Sequence, residues 1–200
     1  MTLPACYFIR HGQTTWNAER RFQGQVDTPL NETGRAQAAA NGRLLSTLIG
    51  EAADYDFVAS PLSRTRHTME LLRGAMGLDP AAYRIDPILV EVHFGDWQGS
   101  TERELEGRRA GTLAEREADK WNFRPPGDAA ESYGLLAERI RPWFEALERP
   151  TVCVTHGGVI RSLFTLTGQM SGPEASALDI PQDRILRYAD GRVGWIAPTA

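Results

Sequence analysis

Charged and imidazole side chains stand where strand patterns stop at four places: Arg10-His11-Gly12, Ser60-Pro61 with Arg64, Glu91, and His156-Gly157-Gly158. A guanidinium group presents a planar fork of donors that matches a planar or tetrahedral anion. Each of these two histidines is followed by glycine at a turn, where backbone N–H groups and a helix N-terminus can face the same kind of ligand. Arg64 adds a clue of its own. It falls early in a predicted helix, where the helix dipole disfavours a cation unless an anion shares the spot. Taken singly, His11 or His156 reads as a hydrogen-bonded structural histidine, Arg64 as a surface residue and Glu91 as a solvated carboxylate. Their coincidence at four predicted strand ends favours one anion-binding site.

The elements that would carry these residues alternate. Cys6–Ile9 is a short apolar strand, and Asn31 caps a helix running to about Leu48, with Ala38, Leu44, Leu45 and Leu48 on its apolar side and Gly50 ending it. Asp56–Ala59 is a second strand; Ser60 and Pro61 then supply an N-cap and a first helical position for a helix to about Met76. Ile88–Val90 predicts a third strand ending at Glu91, and Ala130–Leu147 a helix that Pro142 should bend or divide. Thr151–Thr155 is the clearest strand, with a helix after it through about Leu166. Arg184–Ala189 and Arg192–Ile196 flank Asp190-Gly191, a hairpin signal. Strands alternating with helices indicate an α/β fold with a mainly parallel sheet, whose ligands bind beyond the carboxyl ends of the strands. The glycine- and proline-rich stretch at about 92–130 reads as an insertion over one face, leaving 1–200 as a single domain.

Composition excludes several classes. The 200 residues are 42% hydrophobic and 24% charged, which is globular and not disordered, and no run reaches the length of a membrane span. The first residues lack the basic and apolar regions of a signal peptide, so a cytoplasmic protein is expected. A net charge of −4 argues against a nucleic-acid partner, although all the basic residues except Lys120 are arginine. Cys6 and Cys153 lie in apolar runs and read as reduced core residues.

The blocks themselves resemble the histidine phosphatase superfamily, also called the phosphoglycerate mutase-like family. Arg10-His11-Gly12-Gln13-Thr14 with Asn17 resembles its first signature, and Gly24 with Asp27-Thr28-Pro29-Leu30 the segment that follows. Ser60 to Thr68, Glu91 to Gly99 and Thr155 to Arg161 resemble the second, third and fourth blocks, in family order. The resemblance implies a phosphoglycerate mutase-like three-layer sandwich and a phosphohistidine intermediate on His11. It also implies that Arg10, Arg64 and His156, the last protonated, hold the phosphoryl oxygens, and that Glu91 acts as general acid. Asn17, Gln23, Gly24 and Gly157 are implied substrate contacts. No metal and no cofactor are required by that scheme. The implied activity is a phosphomonoesterase acting on a small phosphorylated metabolite, with neither nucleic acid nor membrane as partner. The alternative is phosphoglycerate mutase-type transfer, and the 65 positions between Glu91 and His156 are few for a mutase, which favours hydrolysis.

Other features carry less. The histidines show no metal-ligand spacing, His67 reads as a surface residue, and His93 is a candidate substrate contact. Trp16, Phe22, Trp97, Trp121 and Phe123 would either wall a pocket or seal a core edge. Pro125 to Ser132 resembles a family segment, but its drift at Asp128-Ala129-Ala130 leaves the orientation of Glu131 open.

Overall fold

The computed structural model describes residues 3–196. In chain order the elements are β1 (Cys6–Arg10), α1 (Thr15–Ala18), α2 (Glu32–Leu48), β2 (Asp56–Ala59), α3 (Ser63–Ala75), β3 (Arg84–Ile85), α4 (Glu102–Arg108), α5 (Thr112–Ala118), α6 (Tyr133–Glu145), β4 (Thr151–Thr155), α7 (Gly157–Leu166), α8 (Gly172–Ala177), β5 (Ile185–Ala189) and β6 (Arg192–Ile196). One sheet runs β3-β2-β4-β1-β5-β6, parallel through its first four strands and antiparallel at β5 and β6. The expected mainly parallel α/β sheet is thus present, with an antiparallel hairpin at one edge. That hairpin turns at Asp190 and Gly191, both at positive φ (52° and 78°), the twist that matches paired strands.

Three layers follow from the two-residue period of the strands. Cys6 and Phe8 of β1 and Cys153 of β4 face a core shared with Leu136 and Ile140 of α6 and Ile160 of α7. Tyr7, Ile9, Val152 and Val154 face the opposite core, shared with Leu45 of α2 and Met69 and Leu72 of α3. Both free cysteines are buried, and burial pushes the Cys6 thiol up to about 11 and raises Cys153 well above the ordinary thiol range, so both remain thiols.

Three local expectations need correction. Ile88–Val90 is no strand: Pro87–Leu89 forms a 3₁₀ turn capped by Asp86, whose carboxylate accepts from the Ile88 N–H. Pro87 cannot donate to a ladder, so the pairing stops after β3, whose two residues align with Val58 and Ala59. Ser60 does not cap α3, which begins at Ser63 after Leu62. Its first turn is satisfied from afar, Asp27 accepting from Ser63 N (2.9 Å) and Ser63 Oγ (2.7 Å). Finally, α6 begins after the Ser132 cap and runs through Pro142 without a division, since that proline lies in its last turn.

Candidate active site

β1 delivers Arg10 as its last residue and His11 just beyond it, next to β4 in the sheet, whose carboxyl end delivers His156. The turn after β1 must press against α2. A Cβ on Gly12 would stand 2.2 Å from the Gly34 carbonyl oxygen, so glycine there permits the approach. The His11 and His156 rings, both buried, lie edge to face with centroids 5.3 Å apart.

Hydrogen bonds decide which ring atoms are free. His11 Nδ1 donates to the Gly12 carbonyl at 2.8 Å, which leaves Nε2 with its lone pair, 3.2 Å from Arg64 Nε. Burial first, then the charges of Arg64 and Arg10, hold His11 well below the ordinary histidine range, so the ring is neutral at neutral pH. His156 Nε2 and Ser60 Oγ share a hydrogen bond (2.7 Å), the role that serine takes instead of capping, and His156 Nδ1 is buried without a partner. Burial and the charges of Arg64, His11 and Arg10 depress His156 as well. The protonation expected for His156 is therefore not favoured by the protein's own groups.

Arg64 has no exposed surface, yet it meets no carboxylate within ion-pair distance among the described residues. It is held instead by backbone: Nη1 donates to Val26 O (2.8 Å) and Nη2 to Gly24 O (2.7 Å). Arg10 donates to Ile180 O at 2.6 Å, while its Nε is buried without a partner. Burial lowers both guanidinium groups to about 10. A fully buried and a half-buried arginine with no ion-pair partner are costly unless an anion completes them.

Glu91 reaches the same place from the segment that follows the 3₁₀ turn. Its carboxylate accepts from the N–H of Gly158 in the first turn of α7 (3.1 Å) and from the Val92 N–H (2.9 Å). A Cβ on Gly158 would lie 2.3 Å from Glu91 Oε1, so the second glycine of His-Gly-Gly makes room for the carboxylate. Arg139 supports this segment, donating to Val90 O (3.1 Å) and forming a two-pronged pair with Glu131 (2.9 and 3.0 Å). Glu131 is therefore a brace, which resolves its orientation despite the drift before it.

A cleft of about 180 Å³ gathers Arg10, His11, Asn17, Gln23, Gly24, Arg64, Glu91 and Gly157. His156 stands directly behind it, against His11. Asn17 Oδ1 accepts from Thr14 N–H and Gln182, turning its amide N–H₂ away from both. Gln23 accepts from Thr28 Oγ1 at 2.6 Å. His93 is not brought in: its Nδ1 accepts from the Gly95 N–H and its Nε2 lies 3.3 Å from Gln98 Nε2. His67 is exposed and lines a larger groove of about 840 Å³ between α2 and α3, remote from these groups.

Sequence reasoning gave no individual role to Phe94, Tyr133 and Arg161, which also line the cleft, as does Arg21. Of the expected aromatics only Phe22 does so; Trp97, Phe123 and Trp121 back it, Trp121 by stacking on Tyr133 (26° between planes). It also missed the 178–182 segment, where Leu178 O and Ile180 O hold Arg161 and Arg10, and Gln182 donates to His11 O and Asn17 Oδ1, each at 3.0 Å. Backbone carbonyls leave no signal in side-chain types. Among the described residues no group of three or more His, Cys, Asp or Glu side chains could hold a metal ion, and no helix is long and apolar enough to cross a membrane.

Comparison with known proteins agrees with this geometry. The model of the histidine phosphatase superfamily (branch 1) matches residues 6–193. Glucosyl-3-phosphoglycerate phosphatase of Mycobacterium tuberculosis is 40% identical over 78% of this chain and 71% of its own. A 2,3-bisphosphoglycerate-dependent phosphoglycerate mutase of Gloeobacter violaceus is 30% identical over 86% of this chain and 79% of its own. The solved structure of a mycobacterial glucosyl-3-phosphoglycerate phosphatase complexed with VO3 superposes with a TM-score of 0.79 at 30% identity, covering 96% of each chain.

Proposed function

The chain belongs to branch 1 of the histidine phosphatase superfamily, and from that membership we propose that it hydrolyses a small phosphorylated metabolite through a phosphohistidine on His11, without a metal. One observation carries the reading: a buried imidazole is kept neutral, its Nδ1–H committed to Gly12, with the Nε2 lone pair free of a proton and held toward the site by the Arg64 Nε–H that donates to it. Neutral imidazole is a good nucleophile, and once phosphorylated it is a good leaving group.

In the first step Nε2 attacks phosphorus, the P–O bond to the alcohol breaks, and Glu91 gives its proton to the departing oxygen. Arg10 and Arg64 take the non-bridging oxygens, their spare donors and depressed pKa values both favouring a dianion there. His156, its Nε2 occupied by Ser60, offers Nδ1–H to the same group. Asn17 and the backbone of Gly157 add neutral donors, and Gln23 and Gly24 shape the wall beside them. In the second step Glu91, now ionised, takes a proton from water, whose oxygen attacks phosphorus and displaces His11 Nε2. Inorganic phosphate leaves and the starting protonation returns.

Glucosyl-3-phosphoglycerate, named for the M. tuberculosis relative, is an example of the substrate size envisaged. The segment at about 92–130 acts as a cover over the site within one domain, and on this reading the reaction takes place in the cytoplasm with neither nucleic acid nor membrane as partner. The mutase relative supports a second reading, transfer of the group to another hydroxyl. Phosphate release from a panel of phosphomonoesters in excess EDTA decides between them. Turnover that persists in EDTA and is absent in His11→Ala is expected. Interconversion of 2- and 3-phosphoglycerate after bisphosphate priming, without net phosphate release, would establish the mutase instead.

A further inference from the structure

Asn41 is an oddity within α2. It keeps only 1% of its surface exposed, although asparagine is a poor helix former and costly to bury. Its Oδ1 is buried without a partner, and among the described residues its Nδ2 makes one hydrogen bond, to the Gln182 carbonyl at 2.9 Å. That bond ties the backbone of Gln182 to α2. The Gln182 side chain meanwhile reaches the turn after β1. It does not line the cleft, yet it touches two residues that do, its Nε2 donating to His11 O and to Asn17 Oδ1 at 3.0 Å each.

The orientation of two side-chain amides follows from one backbone atom. The His11 carbonyl oxygen can only accept, so Gln182 must present Nε2 to it and not Oε1. The same Nε2 then faces Asn17, which must answer with Oδ1. The Thr14 N–H makes the same demand from another side, donating to Oδ1 at 3.2 Å. Both lone pairs of Oδ1 are thereby filled. The Asn17 N–H₂ is left without a partner among the described residues, on a side chain that lines the cleft. A turned amide would set donor against donor at both contacts, and it would offer an oxygen where a phosphoryl dianion needs a donor.

We propose that Gln182 is a positioning residue that locks the Asn17 amide with its nitrogen toward the phosphoryl group, and that buried Asn41 is retained to hold Gln182 in place. Gln182 acts through Asn17 and touches no substrate. This rests on the phosphoryl-binding part of the hydrolase reading. The arrangement also explains why a helix-interior asparagine is kept at a site where an apolar residue would pack at lower cost.

The test is a double-mutant cycle read in kcat/KM for a turned-over phosphoester and in the Kd of orthovanadate. Gln182→Glu keeps the shape but can only accept, so the Asn17 amide should turn its nitrogen toward the new carboxylate and its oxygen toward the cleft. A loss of ~100-fold in kcat/KM is expected, with vanadate bound about tenfold more weakly. In an Asn17→Ala background the same substitution should cost at least ~10-fold less, because the group it acts through is gone. If Gln182→Glu fails to fold, Gln182→Met, neutral and about as long, takes its place: about tenfold is expected in wild type and under about threefold beside Asn17→Ala. Losses that multiply in full, the outcome of a merely structural role, overturn the proposal. Vanadate separates the two readings. Coupling between positions 17 and 182 in vanadate affinity, with no ester turned over, would sink hydrolysis and keep the positioning role; turnover with fully multiplying losses would do the reverse.

Discussion

At the floor of the cleft the imidazole and guanidinium groups are held by backbone or a buried neighbour; at its mouth charged side chains hold one another in contact with solvent. Arg64 has no exposed surface and spans Gly24 O, Val26 O and His11, whereas Arg21, which also lines the cleft, pairs with Glu19 and Glu104, whose side chains are 47% and 44% exposed. The floor resists salt, and mutation there is costly, because its donors have no solvent substitute. The mouth is screened, and substitutions there redistribute rather than remove contacts. Fixed chemistry and adjustable selection are thereby built into one small cavity.

The difference can be broken from either side. Arg64→Lys keeps a charge but loses the fork that joins two carbonyls to His11 Nε2. An activity loss of about 10³-fold in kcat is expected, and a loss under tenfold would mean the charge alone suffices. Ser60→Ala leaves His156 Nε2 unsatisfied and frees the ring to turn. Its expected cost is about 10- to 100-fold in kcat with a melting temperature lowered by roughly 2–10 °C, and an unaltered kcat would show that the serine only fills space.

Acid should expose the floor next. His11 and His156 are both depressed in the folded state, so the unfolded chain binds more protons as pH falls below about 6.5. Stability from this source is full above the unfolded value and is lost as pH drops toward the folded one. Urea unfolding at about pH 7 and about pH 5.5 should show a lower midpoint in acid, and a smaller decrease in His11→Ala. Equal decreases in both proteins would remove His11 from the account. The smallest effect belongs to the mouth: Glu19→Gln should move the melting temperature by less than about 2 °C and leave kcat within twofold. A larger change would show that the Arg21 pair is coupled to the floor.

This division also separates what the sequence reveals from what it hides. Strand ends with Arg-His-Gly and His-Gly-Gly are visible because the chemistry sits on the residue types, and β1, β2, β4 and the β5–β6 hairpin match their apolar patterns. Ile88–Val90 misleads because an apolar triplet suits a strand or a buried turn equally, and Pro87 decides. Ser60 misleads because a serine before proline looks like a cap, while its hydroxyl is recruited by a histidine 96 positions away. The 178–182 segment acts through carbonyls that any residue supplies. Arg161 stands in plain view within the fourth block, yet its place in the cleft rests on the Leu178 carbonyl that holds it, and that is a property of three dimensions.

The central claim is a phosphoryl group carried on His11. Mixing wild-type enzyme with a turned-over phosphoester, quenching in base and mapping the modified peptide by mass spectrometry tests it most directly. The account predicts an acid-labile, base-stable phosphoryl group on the peptide containing His11, absent from His11→Ala. A modification on any other residue, or turnover that survives in His11→Ala, would contradict it.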